Sequence, residues 1–173
     1  AMSGVSRRNA FRYAGVVESV YLMDEIDVEI IADGCHLPAP LLQLIYKIKG
    51  AGRTALITDA MRAAGTELQE SILGSKTDGL KVIIEDGVAK LPDRTSFAGS
   101  VATTDRLIRT MVQAGISLVE AVRMASLTPA RIMKLDGFTG SLSVGKDADL
   151  VIFDEAVQVK STIVKGSVLF NNV

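Results

Sequence analysis

Two short β-branched runs, Val28-Glu29-Ile30-Ile31-Ala32 and Thr54-Ala55-Leu56-Ile57-Thr58, flank a single amphipathic stretch from Leu41 to Lys49. Nothing else in the chain restricts its fold as much. Runs of that length and composition read as strands buried on both faces. Between them, apolar residues at 41, 42, 44, 45 and 48 share one face of a helix. Pro38 and Pro40 mark its start, and Lys47, Lys49 and Gly50 mark its end. Strand, helix and strand in this order make a βαβ crossover, and therefore a parallel sheet. In parallel α/β folds the loops beyond the C-terminal strand ends carry the active site. Each run here is followed by a carboxylate, Asp33 and Asp59. The sequence leaves a second role open for both, capping the next helix or opening a turn.

Around this unit the pattern is less regular. Residues 1–15 are polar and aperiodic and read as a loop, followed by a helix from Val16 to Met23. Leu80–Ile84 and Val88–Leu91 read as a β-hairpin about Asp86-Gly87. A small-residue loop, Phe97-Ala98-Gly99-Ser100, leads to a helix from Thr103 to Ala114. A second helix opens on a capping box, Ser117 with Glu120. A third starts at Thr128-Pro129 and runs to about Leu135. Met111, Met124 and Met133 fall on apolar helix faces and read as core. From Gly140 onward, short strands at 149–154, 157–163 and 167–170 point to a small second sheet.

Composition narrows the function. Nineteen Lys and Arg against 20 Asp and Glu give a net charge of −1, which excludes a basic nucleic-acid surface as the main business of the chain. The single Cys35 and single His36 exclude a disulfide framework and a cysteine-built zinc site. No apolar run reaches the roughly 18–20 residues of a membrane span. The start, Ala1-Met2-Ser3-Gly4, lacks a signal-peptide layout, so a cytoplasmic location is the default expectation. At 173 residues the chain is too short for a complete (β/α)₈ barrel. His36, three residues past Asp33, is suited to shuttling a proton, donating to phosphate, ligating a metal or sitting half-buried in a hydrogen bond. Cys35 reads as a small packed side chain. Arg7, Arg8 and Arg12 suit an anion but equally a solvated loop.

Five stretches then occur in order: Ile31-Ala32-Asp33-Gly34-Cys35-His36, Leu56-Ile57-Thr58-Asp59-Ala60-Met61, Phe97-Ala98-Gly99-Ser100, Val122 through Arg131 with Ala-Ser-Leu-Thr-Pro-Ala at its centre, and Gly145-Lys146-Asp147-Ala148-Asp149-Leu150-Val151. Together they resemble the C-terminal portion of the N-acetylglucosamine-6-phosphate deacetylase family of amidohydrolases. The resemblance implies an α/β chain forming the C-terminal part of a metal-dependent amidohydrolase (β/α)₈ (TIM) barrel plus part of a small β-sandwich. Residues 1–139 would be the barrel part, with a hairpin insertion at about 80–91, and residues 140–173 the sandwich strands.

The same resemblance implies hydrolysis of N-acetylglucosamine 6-phosphate to glucosamine 6-phosphate and acetate. Asp59 matches the catalytic carboxylate that moves protons between water and the leaving amine. His36 matches a substrate-binding histidine near the phosphate. Arg12 matches a phosphate-binding arginine that crosses a homodimer, with Arg8 as its rival. Phe97, Ala98 and Gly99 match a sugar-contacting loop, and Ala1 falls in a further substrate-binding segment. The family's divalent metal, zinc or iron, is held by a Glu and two His expected upstream of Ala1, so no metal ligand set is expected in this chain. A fragment of this kind is expected to be inactive alone. Two alternatives stay open: another amidohydrolase acting on a cyclic amide or N-acyl substrate, and a non-catalytic barrel remnant.

Overall fold

The computed structural model of the protein describes residues 6–8 and 10–172. The crossover is its organising unit. Strand β3 (Val28–Ile30) pairs in parallel with β4 (Thr54–Leu56), with Val28 opposite Thr54 and Ile30 opposite Leu56. Helix α2 (Ala39–Lys49) joins them, with Pro40 in its first turn and Gly50 at its C-cap. All three residues of β4 are buried, as a strand covered on both faces must be. The ladder closes with Ile57 N–H donating to Ile30 C=O at 3.0 Å, so both strands end two residues before the apolar runs do. Because the pair is parallel, Asp33 and Asp59 leave it at the same edge.

Helices α3 (Thr104–Gln113), α4 (Leu118–Ala125) and α5 (Leu127–Ile132) follow later in the chain. Leu42 and Ile45 of α2, Leu107 and Met111 of α3 and Met124 of α4 share one core with Ile30 and Leu56. Only half of the expected capping box forms. Glu120 N–H donates to Ser117 Oγ at 3.4 Å, while the Glu120 carboxylate accepts from the Ser117 hydroxyl and from Tyr46 on α2. Helix α5 ends at Ile132, which leaves Met133 at its C-cap and 68% exposed. The reading of Met133 as core is therefore corrected: the helical period stops one residue before it.

The hairpin about Asp86-Gly87 is present as β6 (Leu80–Glu85) and β7 (Val88–Lys90). Asp86 and Gly87 take φ of 53° and 73°, the two positive values a type I′ turn requires. A further strand, β5 (Glu70–Leu73), pairs with β6 and was not legible, because Glu-Ser-Ile-Leu carries neither alternation nor β-branched density. This sheet has its own small core of Met61, Ala63, Val82, Ala89 and Ala98.

The C-terminal strands form a separate antiparallel sheet in the order β10 (Ser167–Asn171), β9 (Val159–Val164), β8 (Leu150–Phe153). Strand β9 starts at Val159 because Val157 sits at φ 56° in a turn and sends its side chain into the main core. At the other end, the segment read as a loop contains an antiparallel hairpin, β1 (Ser6–Arg8) with β2 (Phe11–Tyr13). The correction has a simple cause. Phe-Arg-Tyr has strand propensity, and Ala10 supplies a positive φ of 67° between the strands.

Helix α1 (Val16–Leu22) is tied to the crossover by Lys49, which is buried. Its Nζ donates to the carbonyls of Val20 and Met23 at 2.8 Å each, satisfying the C-terminal end of α1. Lys49→Met keeps the apolar stem and removes both charged donors. It should destabilise the fold by about 2 kcal/mol, read as a lower urea midpoint at unchanged m-value.

Candidate active site

Asp33 begins the loop beyond β3 and is 1% exposed. Its Oδ1 accepts the backbone N–H groups of Cys35 and His36, both at 2.9 Å, and its Oδ2 lies 2.8 Å from His36 Nδ1. Burial opposes ionisation of this carboxyl. The two amides and the imidazole outweigh it and hold the group below the ordinary aspartate range. An ionised carboxylate only accepts, so Nδ1 carries the ring proton toward Asp33. Nε2 is thereby left as the nitrogen available to a ligand. The His36 ring also meets Phe97 at 4.9 Å between centroids, tilted by 55°. The half-buried, hydrogen-bonded reading of His36 is thus the one observed, and it leaves Nε2 without a hydrogen bond to a described residue.

Asp59 follows β4. It is exposed, its φ is 46°, and no described residue makes a hydrogen bond or ion pair with its carboxylate. Aspartate enters the left-handed region at modest cost, and residues held there concentrate at functional sites. What holds Asp59 there is Ser100, itself buried. Ser100 N–H donates to Asp59 C=O at 2.9 Å, and Met61 N–H donates to Ser100 C=O at 2.8 Å. Gly99 precedes this contact at φ 83°, and a Cβ there would stand 3.3 Å from Asp59 O. Any side chain at 99 would therefore be strained and would press on the backbone that positions Asp59. No helix follows Asp59, so the capping alternative is set aside for it. For Asp33 the turn alternative is right, and the same carboxylate also orients His36.

Phe97 and Ala98 complete the grouping. Ala98 N–H donates to Ala89 C=O at 2.9 Å, and Lys90 pairs with Phe97 across an isolated bridge, so the β6–β7 hairpin carries Phe97 to His36. The structure thus gathers Asp33, His36, Asp59, Phe97, Ala98 and Gly99 at the common edge of β3 and β4. It does not gather Arg12, which is exposed on β2 and makes no hydrogen bond or ion pair with a described residue. Ala1 and the side chain of Arg8 lie outside the described residues. Sequence reasoning assigned no part to Ser100 or to the orienting role of Asp33. The Asp-x-x-His spacing was the available signal for the second; the first arises from tertiary pairing alone.

Among the described residues, no group of three or more His, Cys, Asp or Glu side chains is placed to hold a metal. The described residues therefore do not make a metal site by themselves. A cavity of about 990 Å³ lies between α3–α5 and β8–β9. It is lined by Ile108, Val122, Pro129, Phe153 and Ile163, and it contains none of the residues gathered above. Its acidic groups are engaged, Asp105 by Arg109 and Asp149 by Thr139 and Lys165. No helix of the described residues is long and apolar enough to cross a membrane.

With a parallel strand pair that carries its carboxylates on one edge and a separate antiparallel sheet in place, the model of the amidohydrolase family matches residues 8–169. The chain belongs to the amidohydrolase family. Within it, the chain is 39% identical over 158 residues to an N-acetylglucosamine-6-phosphate deacetylase of Lysinibacillus sphaericus, covering 91% of this chain and 39% of that enzyme. It is 36% identical over 140 residues to a putative N-acetylgalactosamine-6-phosphate deacetylase of Escherichia coli K12, covering 80% of each. Among solved structures, the N-acetylglucosamine-6-phosphate deacetylase of Mycobacterium smegmatis, an aspartate variant in complex with N-acetylglucosamine 6-phosphate, superposes with a TM-score of 0.84 at 30% identity. That match covers 98% of this chain and 43% of the other. The chain spans about two-fifths of the length of the first of these relatives.

Proposed function

We propose that the full-length protein containing this chain is a hydrolase that removes the acetyl group from N-acetylglucosamine 6-phosphate. The observation that carries this reading is the shared edge of β3 and β4: an Asp59 carboxylate with no partner among the described residues, on a left-handed backbone, and an oriented His36. Residues 1–139 then form the C-terminal part of a (β/α)₈ barrel and residues 140–173 the strands of a β-sandwich. Asp59 accepts a proton from the water that attacks the acetyl carbonyl carbon. It then delivers a proton to the nitrogen as the C–N bond breaks, releasing acetate and the free amine. His36, through Nε2, and Arg12 bind the 6-phosphate. Phe97, Ala98, Gly99 and Ala1 contact the sugar. A divalent metal, zinc or iron, belongs to this reading with ligands supplied from outside the chain, and the enzyme is a cytoplasmic homodimer.

The test is release of acetate and free amine from N-acetylglucosamine 6-phosphate by the full-length protein. The Escherichia coli relative, which this chain matches over 80% of its length, favours the 4-epimer as a second substrate to assay in parallel. Turnover of neither sugar phosphate removes the reading.

Arg12 carries a separate expectation. A phosphate dianion takes charge-assisted donors worth ~1.5–3 kcal/mol each. Arg12→Ala should therefore raise KM for the phosphorylated substrate about 10- to 100-fold and affect the unphosphorylated sugar far less. Arg8→Ala is the control and should have the smaller effect. Mixing Arg12→Ala subunits with Asp59→Asn subunits should restore activity, because one of the two heterodimer sites then carries neither defect. Heterodimers without recovery would place Arg12 outside a shared site.

A further inference from the structure

We propose that Arg106 is a positioning residue that braces the β6–β7 turn against the loop carrying His36. Half-buried in the first turn of α3, Arg106 donates from Nη1 to Gly87 C=O at 2.7 Å and from Nη2 to Cys35 Sγ at 3.6 Å. The Cys35 thiol in turn faces Asp86 C=O at 3.8 Å. The guanidinium has no ion-pair partner among the described residues, and both hydrogen bonds it makes to them fall on this junction. The loop rests on the same helix, since a Cβ on Gly34 would lie 3.9 Å from Thr110.

These contacts close a circuit. From Cys35 the chain passes to His36, and His36 packs on Phe97. Phe97 and Ala98 are pinned to Lys90 and Ala89 of β7. Strand β7 returns through the Asp86-Gly87 turn to Arg106, and so to Cys35. The β5–β7 sheet is thus held to the His36 loop at two points, by Phe97 at one end and by Arg106 at the other. Without Arg106 the turn keeps only the long Cys35 Sγ–Asp86 C=O contact to this loop, and the His36–Phe97 pair loses its firmer second support. Gly87 fits this role doubly. It meets the positive φ of the turn, and a Cβ there would stand 3.1 Å from Arg106 Nη1.

The effect on turnover rests on the proposed function; the effect on Cys35 does not. Arg106→Gln, made in the full-length protein, should speed alkylation of Cys35 by N-ethylmaleimide about tenfold or more, followed by peptide-resolved mass spectrometry. The same variant should raise KM for the sugar phosphate about tenfold, the equivalent of one lost charged hydrogen bond, with kcat within about twofold of the parent. Arg106→Lys keeps one charged donor in reach and should recover part of both effects, which a purely structural role would not require. Gly87→Ala attacks the brace from the hairpin side and should also expose Cys35, so it decides the matter if Arg106→Gln does not fold. Unchanged Cys35 alkylation in a folded Arg106→Gln or Gly87→Ala protein overturns the brace. A parent protein that turns over no sugar phosphate overturns the functional reading instead, and leaves the alkylation result to stand.

Discussion

Asp59→Asn in the full-length protein should lower kcat by about 10²–10⁴-fold, the usual worth of a positioned general acid–base, and leave KM within about threefold of the parent. The substitution isolates the chemistry unusually well. Asparagine tolerates the left-handed region as readily as aspartate does, so the φ of 46° costs the variant little. The Ser100 N–H bonds to the backbone carbonyl of residue 59, which the substitution leaves in place. The side chain makes no hydrogen bond or ion pair with a described residue, so the substitution breaks none of those. What is lost is the ability to accept a proton from water and return one to nitrogen, because a side-chain amide does neither at neutral pH. Phosphate and sugar contacts lie on other residues in this reading, which is why KM should hold. Steady-state kinetics together with an unchanged far-ultraviolet circular dichroism spectrum check it. Near-normal turnover in the folded variant would reduce Asp59 to a turn residue.

The crossover could be read from the sequence because local signals agreed with the tertiary outcome. Ile30 and Leu56 are buried in the core as their runs demanded, and Pro38, Pro40 and Gly50 bound α2 where the sequence placed it. The Asp86-Gly87 turn was legible for the same reason: only a few residue pairs take two positive φ values in succession. Where the sequence was silent, the determinant was a distant partner. Strand β5 exists because β6 offers it an edge, not because Glu70–Leu73 has strand character. Ser100 matters through a bridge to residue 60, forty positions away in sequence. The capping box at Ser117 failed in its second half because Tyr46, on another helix, competes for Glu120. At the candidate site the same division holds. Asp33 and Asp59 could be placed on one edge from strand order alone, whereas the meeting of His36 with Phe97 depends on a hairpin docking that no local pattern encodes.

Replacing Asp33 should damage both activity and stability near neutral pH, since one buried carboxylate serves both. Asp33→Asn retains an oxygen for the amides of Cys35 and His36 but turns an NH₂ group toward His36 Nδ1. The imidazole must then accept at Nδ1 and carry its proton on Nε2, or turn away. Either outcome should cut kcat/KM about 10- to 100-fold, the cost of one or two misdirected hydrogen bonds. Asp33→Ala leaves two loop amides without an acceptor and should cost about 2–4 kcal/mol of stability in addition. The pH dependence follows from the direction of the shift. The folded protein holds the Asp33 carboxyl below its unfolded value of about 3.9. The folded state therefore binds the proton less readily than the unfolded chain does. The stabilisation is complete above the unfolded value and is lost as pH falls through the lower, folded one. Urea midpoints measured from pH 6 down to about pH 2 should consequently fall more steeply for the parent than for Asp33→Asn, so the two curves converge in acid. Parallel curves for the two proteins would remove Asp33 from the acid limb. Full activity in Asp33→Asn would show that His36 keeps its orientation without it.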